Sequence, residues 1–280
     1  MDRRAEIREL LKLSPAEVIE RAGEHLVVCE DLPELHRRFA EDLAREIRES
    51  NGRGGLLRLI VPVGPCGQYP ILAETIRRER LSLANCRLFF MDEYCDESGK
   101  AVSSGHPLSF RGAAHKVFLD RLDESCGLRP GHIVFPGENN IDALEGMIED
   151  AGGIDVCYGG IGIHGHIAFN EPENGVSYSG PRRVDLNDYT VTINAVRAQV
   201  GGNIECFPRQ AYTLGMRQIL GARRVRLFCR NGCAFDWANT VLRLALFGSP
   251  GDDYPVTHLR GRDYLITTDR DTLSSPARLL

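Results

Sequence analysis

A chain of 280 residues with 42% hydrophobic and 26% charged residues can bury a large core and has the composition of an ordinary globular protein. Its formal net charge of −5, with arginines dispersed and no basic block, gives no electrostatic case for a nucleic-acid partner. No apolar run approaches the roughly 20 residues of a membrane span and the first residues carry no signal-peptide core, so a cytoplasmic location away from membranes is expected.

Ser14-Pro15-Ala16-Glu17 is a capping box with proline at the first helical position, and it predicts a short helix ending near Gly23. Residues 25–29 read as a strand. Over 33–50, Leu35, Phe39, Leu43 and Ile47 recur every four residues, an amphipathic helix that Gly52, Gly54 and Gly55 break. Residues 1–50 are therefore expected to form a helical N-terminal extension packed on a main domain spanning 51–280. Strand 56–63 leads into Gly64-Pro65-Cys66-Gly67-Gln68 and a helix over 71–83. Strand 87–91, helix 107–122, strand 132–135, helix 141–151 and strand 154–158 follow. After a glycine-rich loop come a strand around Val191, strand 212–215, a short helix ending near Leu220, strand 225–229, helix 233–247 and strand 264–268. Strands separated by helices predict an α/β fold, a mostly parallel sheet with helices on both faces. In such sheets ligands bind at the carboxyl ends of strands.

Three loops leave strand ends in this reading: 64–70, 92–94 and 159–172. The last is the densest in chemistry. It carries His164, His166, Asn170 and Glu171 among the glycines 159, 160, 162 and 165, directly after an apolar strand. Imidazoles titrate near neutrality, so an acid–base role is expected for at least one of them. His164-x-His166 with Glu171 is also a metal-ligand pattern, but no other cluster has ligand spacing, and no metal is expected. Asp92 and Glu93 end strand 87–91, where one carboxylate can act as a base if burial raises its pKa.

The segment Gly64, Pro65, Cys66, Gly67 and Gln68 precedes a helix, and amides there suit an anion. It lacks the Gly-Lys-Ser/Thr of a nucleotide-phosphate loop and the G-x-G-x-x-G of a dinucleotide fold. Only Lys12, Lys100 and Lys116 are available for Schiff-base chemistry, and none lies near these loops. Nine cysteines without a C-x-x-C pair are expected as free thiols.

Phe90-Met91-Asp92-Glu93-Tyr94, His106-Pro107-Leu108-Ser109-Phe110, Gly165-His166-Ile167-Ala168-Phe169-Asn170-Glu171-Pro172 and the segment 208–215 together resemble the glucosamine-6-phosphate deaminase/isomerase family. The resemblance spans residues 56–269. It implies a Rossmann-like single α/β domain and isomerase or deaminase chemistry in carbohydrate metabolism without metal or organic cofactor. The substrate it implies is a small sugar phosphate or amino sugar. By the same resemblance Asp92 moves a proton between C1 and C2, His166 opens the sugar ring and Glu171 supports His166. Arg197 matches a phosphate-facing arginine beside the anion-binding residues 64–68. Related 6-phosphogluconolactonases share the G-H-I-A core, which leaves hydrolase activity open. A sugar-binding sensor without catalysis is a third reading.

Three departures stand out. His164 occupies the family's usual aspartate position, and a second histidine cannot supply its negative charge. The phosphate loop has lost its threonines, and Cys233 stands where a lysine is usual. At a family effector position Arg183 is present but Asp185 replaces a lysine, so amino-sugar activation is not expected. Family members are hexameric or monomeric, which leaves a homo-oligomer open.

Overall fold

The computed structural model describes residues 2–232, 236–276 and 278–280. Ten helices occur among them: α1 (Arg3–Leu11), α2 (Pro15–Ala22), α3 (Leu32–Arg53), α4 (Gln68–Glu79), α5 (Phe110–Val117), α6 (Leu144–Asp150), α7 (Asp188–Arg197), α8 (Met216–Leu220), α9 (Ala238–Phe247) and α10 (Arg270–Leu273). The strands are β1 (Leu26–Cys29), β2 (Leu57–Val61), β3 (Cys86–Phe90), β4 (Asp92–Tyr94), β5 (Ile133–Val134), β6 (Val156–Gly160), β7 (Arg182–Asp185), β8 (Gln210–Thr213), β9 (Arg224–Phe228) and β10 (Tyr264–Asp269). Seven form one sheet in the order β1-β10-β9-β6-β2-β3-β5, with every pairing parallel. The mostly parallel α/β architecture is thus as expected.

Helix signals at the sequence level act locally. The Ser14 hydroxyl accepts from Glu17 N at 3.3 Å while Glu17 accepts from Ser14 N at 2.9 Å. Asp31 caps α3 by accepting from Glu34 N at 2.8 Å, and Gly54 ends that helix in the left-handed region. Leu35, Phe39, Leu43 and Ile47 all face inward, each at most 2% exposed. Phe39 stacks on Phe228 of β9 with ring centroids 3.7 Å apart and on Tyr158 of β6 at 5.4 Å. One residue of α3 therefore ties the helix to two central strands. Buried clusters lie on either side of the sheet, one including α3 and α4, the other α6 and α9. β1 pairs with β10 at the sheet edge, so residues 26–29 extend the same sheet.

A second, antiparallel sheet in the order β4-β8-β7 was not legible as such. It carries its own apolar cluster, built on Tyr94, Phe169, Leu186, Val191, Phe207 and Ala211. The strand expected around Val191 is instead helix α7. Thr190, Val191, Thr192 and Ile193 favour a strand intrinsically, but Asn187 accepts from Thr190 N at 2.9 Å as an N-cap. Val191 is fully buried against the second cluster. The helix expected over 107–122 is confined to α5 and a turn of 3-10 helix at Leu119–Arg121. Of the helix expected over 233–247, α9 is seen; Cys233 lies outside the described residues.

Phe39→Ala should cost about 3–5 kcal/mol of stability, because a fully buried ring wedged between two strands leaves a cavity. Chemical denaturation monitored by far-UV circular dichroism checks this, with the midpoint falling and the slope unchanged.

Candidate active site

Chain geometry at the end of β3 places the first carboxylate. Met91 N donates to Val61 O of the parallel sheet at 3.1 Å, while Met91 O accepts from Leu214 N beside the antiparallel sheet at 2.8 Å. One residue thus serves both sheets, and Asp92 follows it with no intervening turn. Asp92 pairs with Thr213 across the second sheet. Its carboxylate is half-buried and has no hydrogen bond among the described residues. Burial first, and the charge of Glu93 second, push its pKa up to about 8.

Glu93, only 1% exposed, has a different fate. Its carboxylate accepts from the Ser109 hydroxyl at 2.9 Å and from the amides of Tyr94, Phe110 and Arg111 at 2.9, 2.9 and 2.8 Å. Burial raises its pKa, and those donors hold the rise in check. Glu93 fastens the start of α5, and Asp92 is left as the acid of the pair without a hydrogen-bond donor among the described residues.

The loop after β6 supplies the imidazoles. His164 and Gly165 lie in the left-handed region (φ 59° and 69°), and Gly162 N closes the turn onto His166 O at 2.9 Å. The segment is a turn of 3-10 helix over Ile163–Gly165, not a strand. A side chain on Gly162 would begin 1.9 Å from His166 Nε2, so only glycine admits the ring. His166 is 8% exposed and its Nδ1 has no partner. Burial, then the neighbouring His164, push its pKa down to about 4, with Arg197 adding a smaller push in the same direction. His166 is therefore neutral at physiological pH. His164 is lowered by burial as well, and its ring meets Tyr189 edge-on at 5.0 Å.

Two hydrogen-bonded anchors bring this loop to Asp92. Thr213, opposite Asp92, accepts from Phe169 N at 3.1 Å. Asn170, fully buried, donates to Ile167 O at 2.9 Å and Leu214 O at 2.8 Å, and accepts from Arg182 at 2.9 Å. Asn170 and Thr213 are thus positioning residues that motif reading passed over, although Asn170 sits inside the most specific motif. Glu171 accepts from Asn187 N at 2.8 Å with one oxygen, and its other buried oxygen is unpartnered. No hydrogen bond joins it to His166 among the described residues. Burial raises its pKa, and it lines a cavity of about 300 Å³ with Phe169, Glu173, Arg182, Asp185 and Asn187.

The loop of Gly64, Pro65, Cys66, Gly67 and Gln68 abuts the same strand end. The Gly64 carbonyl oxygen lies 2.9 Å from where a side chain on Gly160 would begin. Gln68 is fully buried and donates to Pro65 O at 2.6 Å, which holds the loop's turn into α4. Cys66 is exposed. Arg197, in the last turn of α7, lies over the Trp237 ring at 5.0 Å and 3.8 Å from Asp236.

Comparison with known proteins places this arrangement. No family model matches the chain. A glucosamine-6-phosphate deaminase of Caenorhabditis elegans is 31% identical over 210 residues, covering 72% of this chain and 74% of that protein. The chain belongs to the glucosamine-6-phosphate deaminase family. A member from Clostridium perfringens (strain SM101 / Type A) is 26% identical over 249 residues, 88% of this chain and 97% of its own length. Among solved structures, a monomeric glucosamine-6-phosphate deaminase superposes with TM-score 0.75 at 25% identity, covering 88% of this chain and 98% of that one. A 6-phosphogluconolactonase of Thermotoga maritima shares the fold at TM-score 0.62 and 16% identity, over 87% of this chain and 98% of that one. The chain is an enzyme of the deaminase/isomerase kind. Among the described residues no helix is long and apolar enough to cross a membrane.

Burial of Asp92 makes a stability prediction. Its folded pKa of about 8 lies above the unfolded value, so its contribution is present at low pH and lost as pH rises through 8. Asp92→Asn should melt close to wild type near pH 4, increasingly above it as pH rises from 4 to 8, and by a constant margin beyond 8. Thermal melts across that range check the sign.

Proposed function

We propose that this enzyme converts a phosphorylated amino sugar, glucosamine 6-phosphate or a close analogue, to a ketose phosphate with release of ammonia. The observation that carries the reading is Asp92: a carboxylate without hydrogen-bond donors, poised near neutrality, anchored through Thr213 to the loop that bears a neutral His166. Family membership supports the substrate class.

Ring opening needs a proton moved from the anomeric hydroxyl to the ring oxygen as the C1–O5 bond breaks. A neutral imidazole relays it, accepting from one oxygen and donating to the other. In the open chain, carboxylate Asp92 takes the C2 proton and returns it to C1 while the aldehyde oxygen gains a proton and the amine gives one up, so that C1 becomes a hydroxymethyl group and C2 an imine. Water adds to that imine and ammonia leaves, so amino sugar and water become ketose and ammonia. Glu171, held by Asn187, keeps one oxygen for His166 or the substrate. His164 adds no negative charge, so His166 works as a neutral relay and not as a standing imidazolium. The backbone N–H groups of Gly64, Cys66, Gly67 and Gln68 and the guanidinium of Arg197 are the proposed anion-binding groups.

Ammonia and ketose should both appear when the protein is assayed over a panel of phosphorylated amino sugars. Asp92→Asn should lower kcat by about 10²–10⁴, the usual worth of a positioned base. Since the carboxylate must be ionised, kcat/KM should climb about tenfold per pH unit below 8 and level off above it. Undiminished ammonia release by the Asn variant would remove Asp92 from the chemistry. Lactone hydrolysis that survives Asp92→Asn, with no ammonia from any sugar, would favour a lactonase instead.

A further inference from the structure

Helix α1 is fastened to a loop 250 residues further along the chain. Arg3 opens the helix, and its guanidinium grips Asp253 in a fork, Nε to Oδ2 at 2.7 Å and Nη2 to Oδ1 at 2.9 Å. Nη2 also donates to Ser249 O at 2.9 Å. Glu6, one turn on and 9% exposed, pairs with Arg3 and accepts from the amide and hydroxyl of Ser249, both at 2.8 Å. A cation at a helix N-terminus opposes the helix dipole, so Arg3 does not serve α1 itself. Forked arginine–carboxylate bonds fix orientation as well as distance. Hydrogen bonding to Arg3 is the leading cause that holds the Asp253 carboxyl below its usual range, so the pair is ionised at neutral pH.

The gripped loop follows α9 and turns into 3-10 helix at Pro255–Leu259. It is braced internally: Thr257 Oγ1 accepts from Gly251 N at 2.9 Å and donates to Tyr254 O at 2.7 Å. Its far side meets the loop of the imidazoles. A side chain on Gly165 would begin 2.7 Å from Val256 Cγ1 and 3.5 Å from Tyr254 Cδ1, so both residues press on the backbone directly before His166. Val256 is fully buried, and the Arg3 guanidinium lies over the Tyr254 ring at 5.7 Å. Tyr254 thus meets Arg3 and Gly165 alike. A second tie runs from Asp252, which accepts from Gly175 N at 2.8 Å and pairs with His258 Nε2 at 2.9 Å.

We infer that Arg3 is a positioning residue for His166, acting through Asp253, Tyr254 and Val256 on the backbone at Gly165. The inference rests on the ring-opening role proposed for His166. Nδ1 of His166 is unpartnered and Glu171 is bonded to Asn187 instead, so the aim of the ring depends on where Gly165 is held. Misplacing a reacting group by about 1 Å can cost about a hundredfold in rate, which gives a latch remote from the chemistry a hold on turnover.

Hydrogen exchange read by mass spectrometry follows the loop directly and needs no substrate. Arg3→Gln should speed exchange of the amides of residues 162–170 about tenfold while strands β2 and β3 keep wild-type protection. Arg3→Lys, which keeps the charge and loses the fork, should fall between. Val256→Ala should open the same segment with the α1 latch intact, and Glu9→Gln, which breaks only an exposed pair with Lys12, should leave it closed. In assays on amino-sugar phosphates, Arg3→Gln should lower kcat about tenfold with KM within about twofold, because the groups that bind substrate are untouched. Wild-type exchange over 162–170 or unchanged turnover in Arg3→Gln, or faster exchange spread evenly through the sheet, overturns the inference. If exchange behaves as expected yet wild type turns over no amino-sugar phosphate, the latch on the loop stands and the sugar reading falls.

Discussion

The two hydrogen bonds of the Met91 backbone, one to each sheet, are the constraint on which the site depends. They allow the chain to pass from the parallel sheet into the antiparallel one without a turn. A turn would have exposed the following residue. Without one, Asp92 enters β4 half-buried, and its cross-strand partner Thr213 is free to hold the loop of the imidazoles. The apolar cluster under the second sheet, from Tyr94 to Ala211, supports this junction by burying one side of it.

Electrostatics then separates two adjacent carboxylates. Glu93 receives four hydrogen-bond donors and becomes a structural clamp on α5, whereas Asp92 receives none and carries the full effect of burial. Environments that push neighbouring titratable groups apart are how a fold separates a structural charge from a reactive one. His166 follows the same logic in reverse. Burial first, and the neighbouring His164 second, keep it neutral. Replacing the family's usual aspartate with His164 thus shifts the ring-opening group from a charged acid to a neutral relay under the proposed mechanism.

Much of the fold was legible because its signals are local. Capping residues such as Ser14 and Asp31, the four-residue stripe of α3 and the apolar runs of the sheet each act within a few positions. The second sheet was hidden because β4 begins one residue after β3 ends, so no breaker marks it. The β-branched run of α7 reads as a strand unless the Asn187 cap is weighed with it. Motifs single out Asp92, His166 and Glu171 as candidates; a hydrogen bond ties the loop of His166 to the strand opposite Asp92, while none joins Glu171 to His166 among the described residues.

The central claim is that the sheet junction holds Asp92 as a carboxyl that ionises near neutral pH. Carbon-13 NMR of the labelled aspartate carboxyls, with Asp92→Asn assigning the resonance, tests it directly. The account predicts a single carboxyl titrating near pH 8 that is missing from the variant. An Asp92 resonance that titrates near pH 4, as an exposed aspartate does, would contradict it.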